Sequence, residues 1–297
     1  MERRWGLKTI VLVWLMVLFF AGCNNHYERQ QMRIAANPWV GYFPLAYAQA
    51  KGWIDQREIK IVWTVGLSQS LSLYNKGLVD AFAGTQYEWM EASNHSELAP
   101  YLLFNRSYGA DMILSNIPFE KLKAYQGPIE VCLEEGGVTA NLFEAFIREK
   151  KLTQLQTIKR LLDQEAILRQ CSDATPRFVV IYEPYASVLK SKGYRLIAST
   201  ATLKTFYVID ALFASNKLSP SQQLSMKKVQ EAFRRGLKAL REDPHDFYKT
   251  IKGFLLGQEY QAFMASLEGI KWLDRGDRSD VLIYLEKYKM DLSRLER

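Results

Sequence analysis

Apolar and polar positions divide the chain into three stretches. Ile10–Phe20 is an unbroken run of 11 apolar residues behind Arg3, Arg4 and Lys8. It is too short to span a bilayer as a mature helix and reads as an export signal. Residues 24–32, NNHYERQQM, are polar and read as a tether. Beyond them, short apolar runs alternate with helical ones. Arg33–Ala36, Ile59–Val65 and Val79–Ala83 predict strands. Pro44–Lys51, Ser68–Lys76 and Gln86–Ala92 predict the helices between and after them, the first two stopped by Gly52 and Gly77. The hydroxyls at Ser68–Ser70 suit an N-cap. A second series has strands at Ile129–Leu133 and Phe178–Tyr182, a Gly136–Thr139 loop opening the helix Ala140–Lys150, and a helix ending at Gln164–Arg169. Extended runs at Leu102–Ser115 and Arg195–Ser215 lie between the series. From Ser219 the pattern is almost wholly helical, with Pro220 and Pro244 near helix starts.

This alternation predicts an α/β protein with parallel sheets. Two strand–helix series with two extended crossings describe two lobes forming a hinged clamp. The boundaries expected are 33–114 with 203–297 for lobe 1 and 115–202 for lobe 2. Ligands of such sheets lie beyond the carboxyl ends of the strands, which places the site in the cleft between the lobes.

Composition narrows the classes. The first 22 residues leave 275, enough for one large domain or two medium ones. The full chain carries +7, and the leader holds Arg3, Arg4, Lys8 and Glu2, so the remainder is near +5, spread in pieces such as Lys227-Lys228 and Arg234-Arg235. That spread reads as solvated helix faces, not as a nucleic-acid surface. Cys132 falls late in a strand and Cys171 in a turn before another. Opposite ends of a parallel sheet are expected for them, and with that two buried free thiols, although export would permit a bridge. The only histidines are His26, His95 and His245, and no Ser-His-Asp set, CxxC, HExxH or P-loop is visible. Binding is therefore expected, not catalysis, with no cofactor and no metal.

Phe20-Ala21-Gly22-Cys23 resembles a bacterial lipobox, with Phe20 where leucine is usual. The resemblance implies lipidation of Cys23, residues 1–22 as a lipoprotein signal, 23–32 as the tether, and a periplasmic-side protein held on the inner or outer membrane. Asn24, in place of Asp, leans towards the outer membrane.

Further pieces arrive in a recognisable order: RIAANPWVGYFPLAYAQAKGWI at Arg33–Ile54, YNKGLVDAFAG at Tyr74–Gly84, IYEPY at Ile181–Tyr185 and VIDALFAS at Val208–Ser215. Together they resemble the periplasmic solute-binding proteins of the nitrate, sulfonate and thiamine-precursor type, over roughly Arg33 to Gly269. Tyr182 stands where that family has Trp. The resemblance implies a type II periplasmic binding-protein fold, with two lobes on a two-strand hinge closing on one small ligand. It also implies a monomer that delivers this ligand to an ABC permease. A ligand-sensing subunit docking on a membrane signalling protein is the alternative partner arrangement.

Mapped onto the cleft, the candidate ligand residues are Asn37, Trp39 and Tyr42 after the first strand, Ser68 and Gln69 at a helix start, and Thr85 and Glu88 after the third strand. Glu134, Thr139 and Asn141 come from the second lobe's glycine loop, and Glu183 and Tyr185 from IYEPY. Glu183 could equally hold the backbone of its own loop. These loops carry Glu88, Glu134, Glu135 and Glu183 but no Lys or Arg, and also aromatic faces. That balance suits an amine or nitrogen-rich heteroaromatic ligand. A sulfonate or nitrate, the other reading, would draw a basic partner from Arg106 or Lys204.

Overall fold

The structure is a computed structural model that describes residues 31–171, 174–274 and 278–295. The expected leader, Cys23 and most of the tether lie outside the described residues. Among the described residues no helix is long and apolar enough to cross a membrane.

The apolar runs become strands because both faces of each sheet are covered, so a continuous apolar segment such as Ala81–Thr85 is buried at every position. The chain lays down β1 (Met32–Ala36), α1 (Phe43–Ala50), β2 (Ile59–Trp63), α2 (Leu67–Asn75), β3 (Ala81–Thr85), α3 (Gln86–Glu91) and β4 (Leu98–Ser107). It then crosses into β5 (Asp111–Ser115), α4 (Phe119–Lys123), β6 (Ile129–Leu133), α5 (Gly137–Glu149), β7 (Thr157–Leu161), α6 (Gln164–Gln170), β8 (Arg177–Tyr182), α7 (Tyr185–Ser191) and β9 (Arg195–Ser199). A second crossing leads back to β10 (Val208–Ser215), α8 (Pro220–Glu242), α9 (Pro244–Ile251), α10 (Tyr260–Leu267), β11 (Ile270–Trp272) and α11 (Ser279–Glu286).

Strand pairing defines two mixed sheets, ordered β11-β4-β10-β3-β1-β2 and β7-β6-β8-β5-β9. β1 pairs parallel with β2 and β3, and β6 with β7 and β8, whereas β10 and β5 run antiparallel to their neighbours. The first crossing therefore falls within 107–111, before the expected boundary at 114, because Asp111–Ser115 bonds to β8 and β9. The second falls between Ser199 and Val208.

The long helix α8 begins with a Ser219–Gln222 capping box and Pro220 in its first turn, and buries Met226, Val229, Phe233, Leu237 and Leu240 along one stripe. Gly236 lets it approach α1, since a Cβ there would collide with the Pro44 carbonyl.

Residues 157–161, to which the sequence pattern assigns no element, form an edge strand. One expectation fails. Cys132 and Cys171 are bridged, with their Cα atoms 6.7 Å apart. Helix α6 has only seven residues, about 10 Å, against about 16 Å for the five-residue strand β6. It therefore ends alongside the strand instead of returning to its far end, and brings Cys171 to Cys132.

Candidate functional site

The carboxyl ends of the parallel strands and the amino ends of the antiparallel ones meet at the seam between the sheets. From the first sheet, β1 delivers Asn37 and Trp39, β3 delivers Thr85, and β10 sets Asp210 opposite Thr85 in register. From the second, β6 delivers Glu134, and β5 sets Asp111 opposite Tyr182 of β8.

A cavity of about 10 Å³ sits where these residues converge, lined by Trp39, Leu67, Thr85, Asp111, Tyr182, Val208 and Asp210. The Trp39 and Tyr182 rings meet edge to face at 5.6 Å. The Tyr182 hydroxyl accepts from Asn37 Nδ2 at 3.0 Å and donates to Glu134 Oε1 at 2.9 Å, linking the ends of the two sheets. Asp210 Oδ1 accepts from the Tyr42 hydroxyl at 2.6 Å. Asp210 Oδ2, Asp111 Oδ2, Asn37 Oδ1 and the Trp39 indole N–H are buried without a hydrogen-bond partner among the described residues. The indole lies near enough to Asp210 to favour its charged form, although no well-formed bond joins them.

Outside this point lies a cavity of about 260 Å³, lined by residues that include Ser68, Glu88, Glu91, Glu134, Glu135 and Gly137. Here loops and helices after the strands of each sheet offer carboxylates to a helix start after a strand of the other. Glu88 Oε1 accepts from the Val138 amide at 2.8 Å, and Glu91 Oε1 from the Gly137 amide at 2.7 Å. Glu134 in turn lies against Gly66 and the Leu67 amide at the start of α2. Free N–H groups at a helix start attract an anion. These starts hold the protein's own carboxylates. Gly136 and Gly137 have φ of +66° and +57°, a backbone that exposes successive amides and strains any other residue. Cβ atoms on Gly66 and Gly136 would lie 2.5 Å from Glu134 Oε1 and Glu91 Oε2 respectively, so glycine makes room for the carboxylates.

Four carboxylates at the seam, Glu88, Asp111, Glu134 and Asp210, are buried. Burial pushes Asp111 up to about 7, the Glu88 charge adding to it and the Ser107 hydroxyl opposing it. Burial likewise pushes Glu134 up to about 7 against the Tyr182 hydrogen bond. Asp210 is raised well above the usual carboxylate range by burial and then by the charge of Asp111. Glu88 is raised by burial despite its bonds from Thr85 and Val138. Loss of hydration disfavours each charge, and the neighbouring carboxylates compound the effect.

The sequence candidates separate by place. Trp39 and Thr85 line the central cavity, and Ser68, Glu88 and Glu134 line the outer one. Asn37 and Tyr42 stand behind the central cavity, bonded to Tyr182 and Asp210. Tyr185 packs edge to face on Tyr182 at 5.8 Å. Four candidates have their polar groups turned elsewhere. Gln69 is exposed and accepts from the Val65 amide, Thr139 donates to the Glu134 carbonyl, and Asn141 donates to Gly137. Glu183 accepts from the Ser187 amide at 3.0 Å and pairs with Lys190 at 2.9 Å, holding its own helix. The N-cap of α2 is Gly66, not a Ser68–Ser70 hydroxyl.

Neither suggested cation reaches the centre. Arg106 lies over the Tyr207 ring at 3.9 Å and reaches Asp280 at 3.5 Å, and Lys204 is exposed. The residues that sequence reasoning missed are Asp111, Tyr182 and Asp210. The available signal was an acid inside an apolar extended run, in GADMIL and in VIDALF.

A scan against protein-family models finds no match, and a search of curated proteins finds none. Solved structures do match. The alkanesulfonate-binding protein SsuA from Xanthomonas axonopodis pv. citri, bound to MOPS, aligns with TM-score 0.66 and 16% identity over 87% of this chain and 90% of that one. The aliphatic sulphonate-binding SsuA from Escherichia coli gives 0.63 and 16% over the same shares. A ligand-binding component of an ABC-type import system from Staphylococcus aureus, with zinc bound, gives 0.66 and 10% over 89% and 98%. At such identities the likeness establishes the fold. The two-sheet α/β architecture is that of periplasmic binding proteins, as the sequence resemblance implied.

Proposed function

We propose that this chain is a solute-binding protein of the extracytoplasmic side that captures a small nitrogen-containing, cation-forming molecule at the seam and delivers it to an ABC importer. One observation carries the ligand class. Four buried carboxylates converge there, and the central cavity is lined by no Lys or Arg. At the outer cavity the single basic lining residue is the exposed Lys76, against Glu88, Glu91, Glu134 and Glu135. A buried anion needs a cation or a proton, and a ligand can supply either.

The sulfonate reading is weaker. The helix starts that would hold an anionic head are filled by Glu88, Glu91 and Glu134. A sulfonate would have to displace them and then face the remaining carboxylates. The importer as partner rests on likeness to the import component. The lipid anchor rests on Ala21-Gly22-Cys23, and the lobes close on the ligand by bending at the two crossings. The site binds and releases its ligand without chemistry.

A thermal-shift panel of amines, pyrimidines, amino acids, sulfonates and nitrate tests this reading, because a ligand that binds only the folded state raises the melting temperature. A rise with a nitrogenous cation is expected. A rise confined to sulfonate or nitrate would refute it.

A further inference from the structure

The central cavity is specific in size as well as in charge. At about 10 Å³ it has room for a single water-sized group. Its walls hold two carboxylate oxygens, Asp111 Oδ2 and Asp210 Oδ2, each buried and each without a hydrogen-bond partner. The other side of each carboxylate is engaged, Asp210 by the Tyr42 hydroxyl and Asp111 by Ser107. The remaining walls are Leu67, Val208 and the Trp39 and Tyr182 rings, with Thr85, whose hydroxyl is already bonded within α3's capping box. What fits is a group that donates to both oxygens, carries positive charge and is no larger than a water molecule at its head, the Trp39 indole N–H leaning on Asp210 itself.

We infer that Asp111 and Asp210 form a seat for one primary ammonium group of the ligand, and that this seat sets specificity against substituted cations. The inference rests on the proposed function and sharpens it. An ammonium head has three N–H donors, no acceptor and a compact charge. A guanidinium is a wide planar fork, and a trimethylammonium has no N–H and carries three methyl groups. Neither fits the seat without enlarging it, and the trimethyl group leaves both carboxylate oxygens unsatisfied. The titratable groups facing Asp111 and Asp210 are each other, Tyr42 from the turn after β1, Glu88 from α3 and Tyr182 from β8. The Trp39 indole and the Ser107 hydroxyl face them too, and none of these groups is a cation, so the ligand is the source of positive charge among the described residues.

The experiment is calorimetric titration of the purified full chain at pH 7.5. The probes are matched pairs of a primary amine and its N-trimethyl counterpart, such as ethanolamine with choline and butylamine with butyltrimethylammonium, and also an aminomethylpyrimidine, methylguanidine, and sodium and potassium chloride. At least one primary amine should bind, ten-fold or more tighter than its trimethyl partner. Asp111→Asn and Asp210→Asn should each weaken that binding ten-fold or more, while Glu242→Gln, at an exposed position in the last turn of α8, leaves it unchanged. Titration at pH 6.5 in two buffers of different ionisation enthalpy should show protons released on binding. The wild-type pair comparison stands even where a variant fails to fold.

Equal affinity within pairs, no primary amine binding, or a response to sodium or potassium alone would overturn the ammonium seat. If methylguanidine or a trimethylammonium binds and the Asp variants do not affect it, the seat fails while the wider cationic reading survives. If only a sulfonate binds, both fail.

Discussion

The two ends of the second sheet treat buried charge in opposite ways. At the end remote from the seam, Glu130 meets the fully buried Arg177 at 3.0 Å and Arg160 at 3.3 Å, beside the Cys132–Cys171 bridge. At the seam, Asp111 and Glu134 are buried with no cation beside them among the described residues, and across it Asp210 is the same. The chain thus pairs a buried guanidinium with a half-buried acid where the charge serves the fold. Withholding one at the seam marks those acids as unfinished without a ligand, because an unpaired buried carboxylate destabilises the empty protein.

Removing the fixed end's own supports should have the largest effects. Opening the bridge with Cys132→Ala and Cys171→Ala, 39 residues apart, should cost about 4 kcal/mol in urea unfolding. Arg177→Met, which strips Glu130 of its buried partner, should cost about 3 kcal/mol by the same measurement. The seam should respond with the opposite sign. Asp111→Asn should raise ligand-free stability by about 2 kcal/mol at pH 8, where the native carboxylate is held charged against burial. A destabilised Asp111→Asn would remove the contrast between the two ends. The smallest effect is expected from Gly66→Ala, whose Cβ would press on Glu134. It should cost about 1 kcal/mol and enlarge the radius of gyration in solution scattering as the lobes part.

One side of this contrast, the acidic loops at the seam, was legible in the sequence, and the limits have physical causes. Strands buried on both faces, such as Ala81–Thr85 and Ile129–Leu133, announce themselves as apolar runs. The edge strand Thr157–Leu161, TIKRL, does not, because its side chains are largely exposed, and the three-residue β11 is too short for any period. The acidic, aromatic balance of the loops was readable, and so was the absence of basic residues there. Which acids face the centre was not. Glu183 looks like a cleft residue in sequence, but its own helix and Lys190 claim it. Asp111 and Asp210 belong to the crossing strands, and only the pairing register brings them to Tyr182 and Thr85. The bridge was misjudged because the length of α6, not the strand order, decides where Cys171 ends.

The most direct test is equilibrium unfolding of the ligand-free protein at pH 5 and pH 8, for the wild type and Asp111→Asn. Asp111 and Glu134 sit near 7 in the folded state, against about 4 in an unfolded chain. Between these values the folded state holds protons that the unfolded state has lost, so stability must fall as pH rises from about 4 to about 7, and Asp210, raised as well, adds to the fall. The acids held low by exposed partners, Asp55, Asp246 and Asp291, titrate below this window. The account predicts a wild type weaker at pH 8 than at pH 5 by about 2–3 kcal/mol for each of the two acids, and a clearly smaller drop in Asp111→Asn. Stability that is flat or rises with pH, or a variant that tracks the wild type, would contradict the claim that the seam acids stand without a cation of their own.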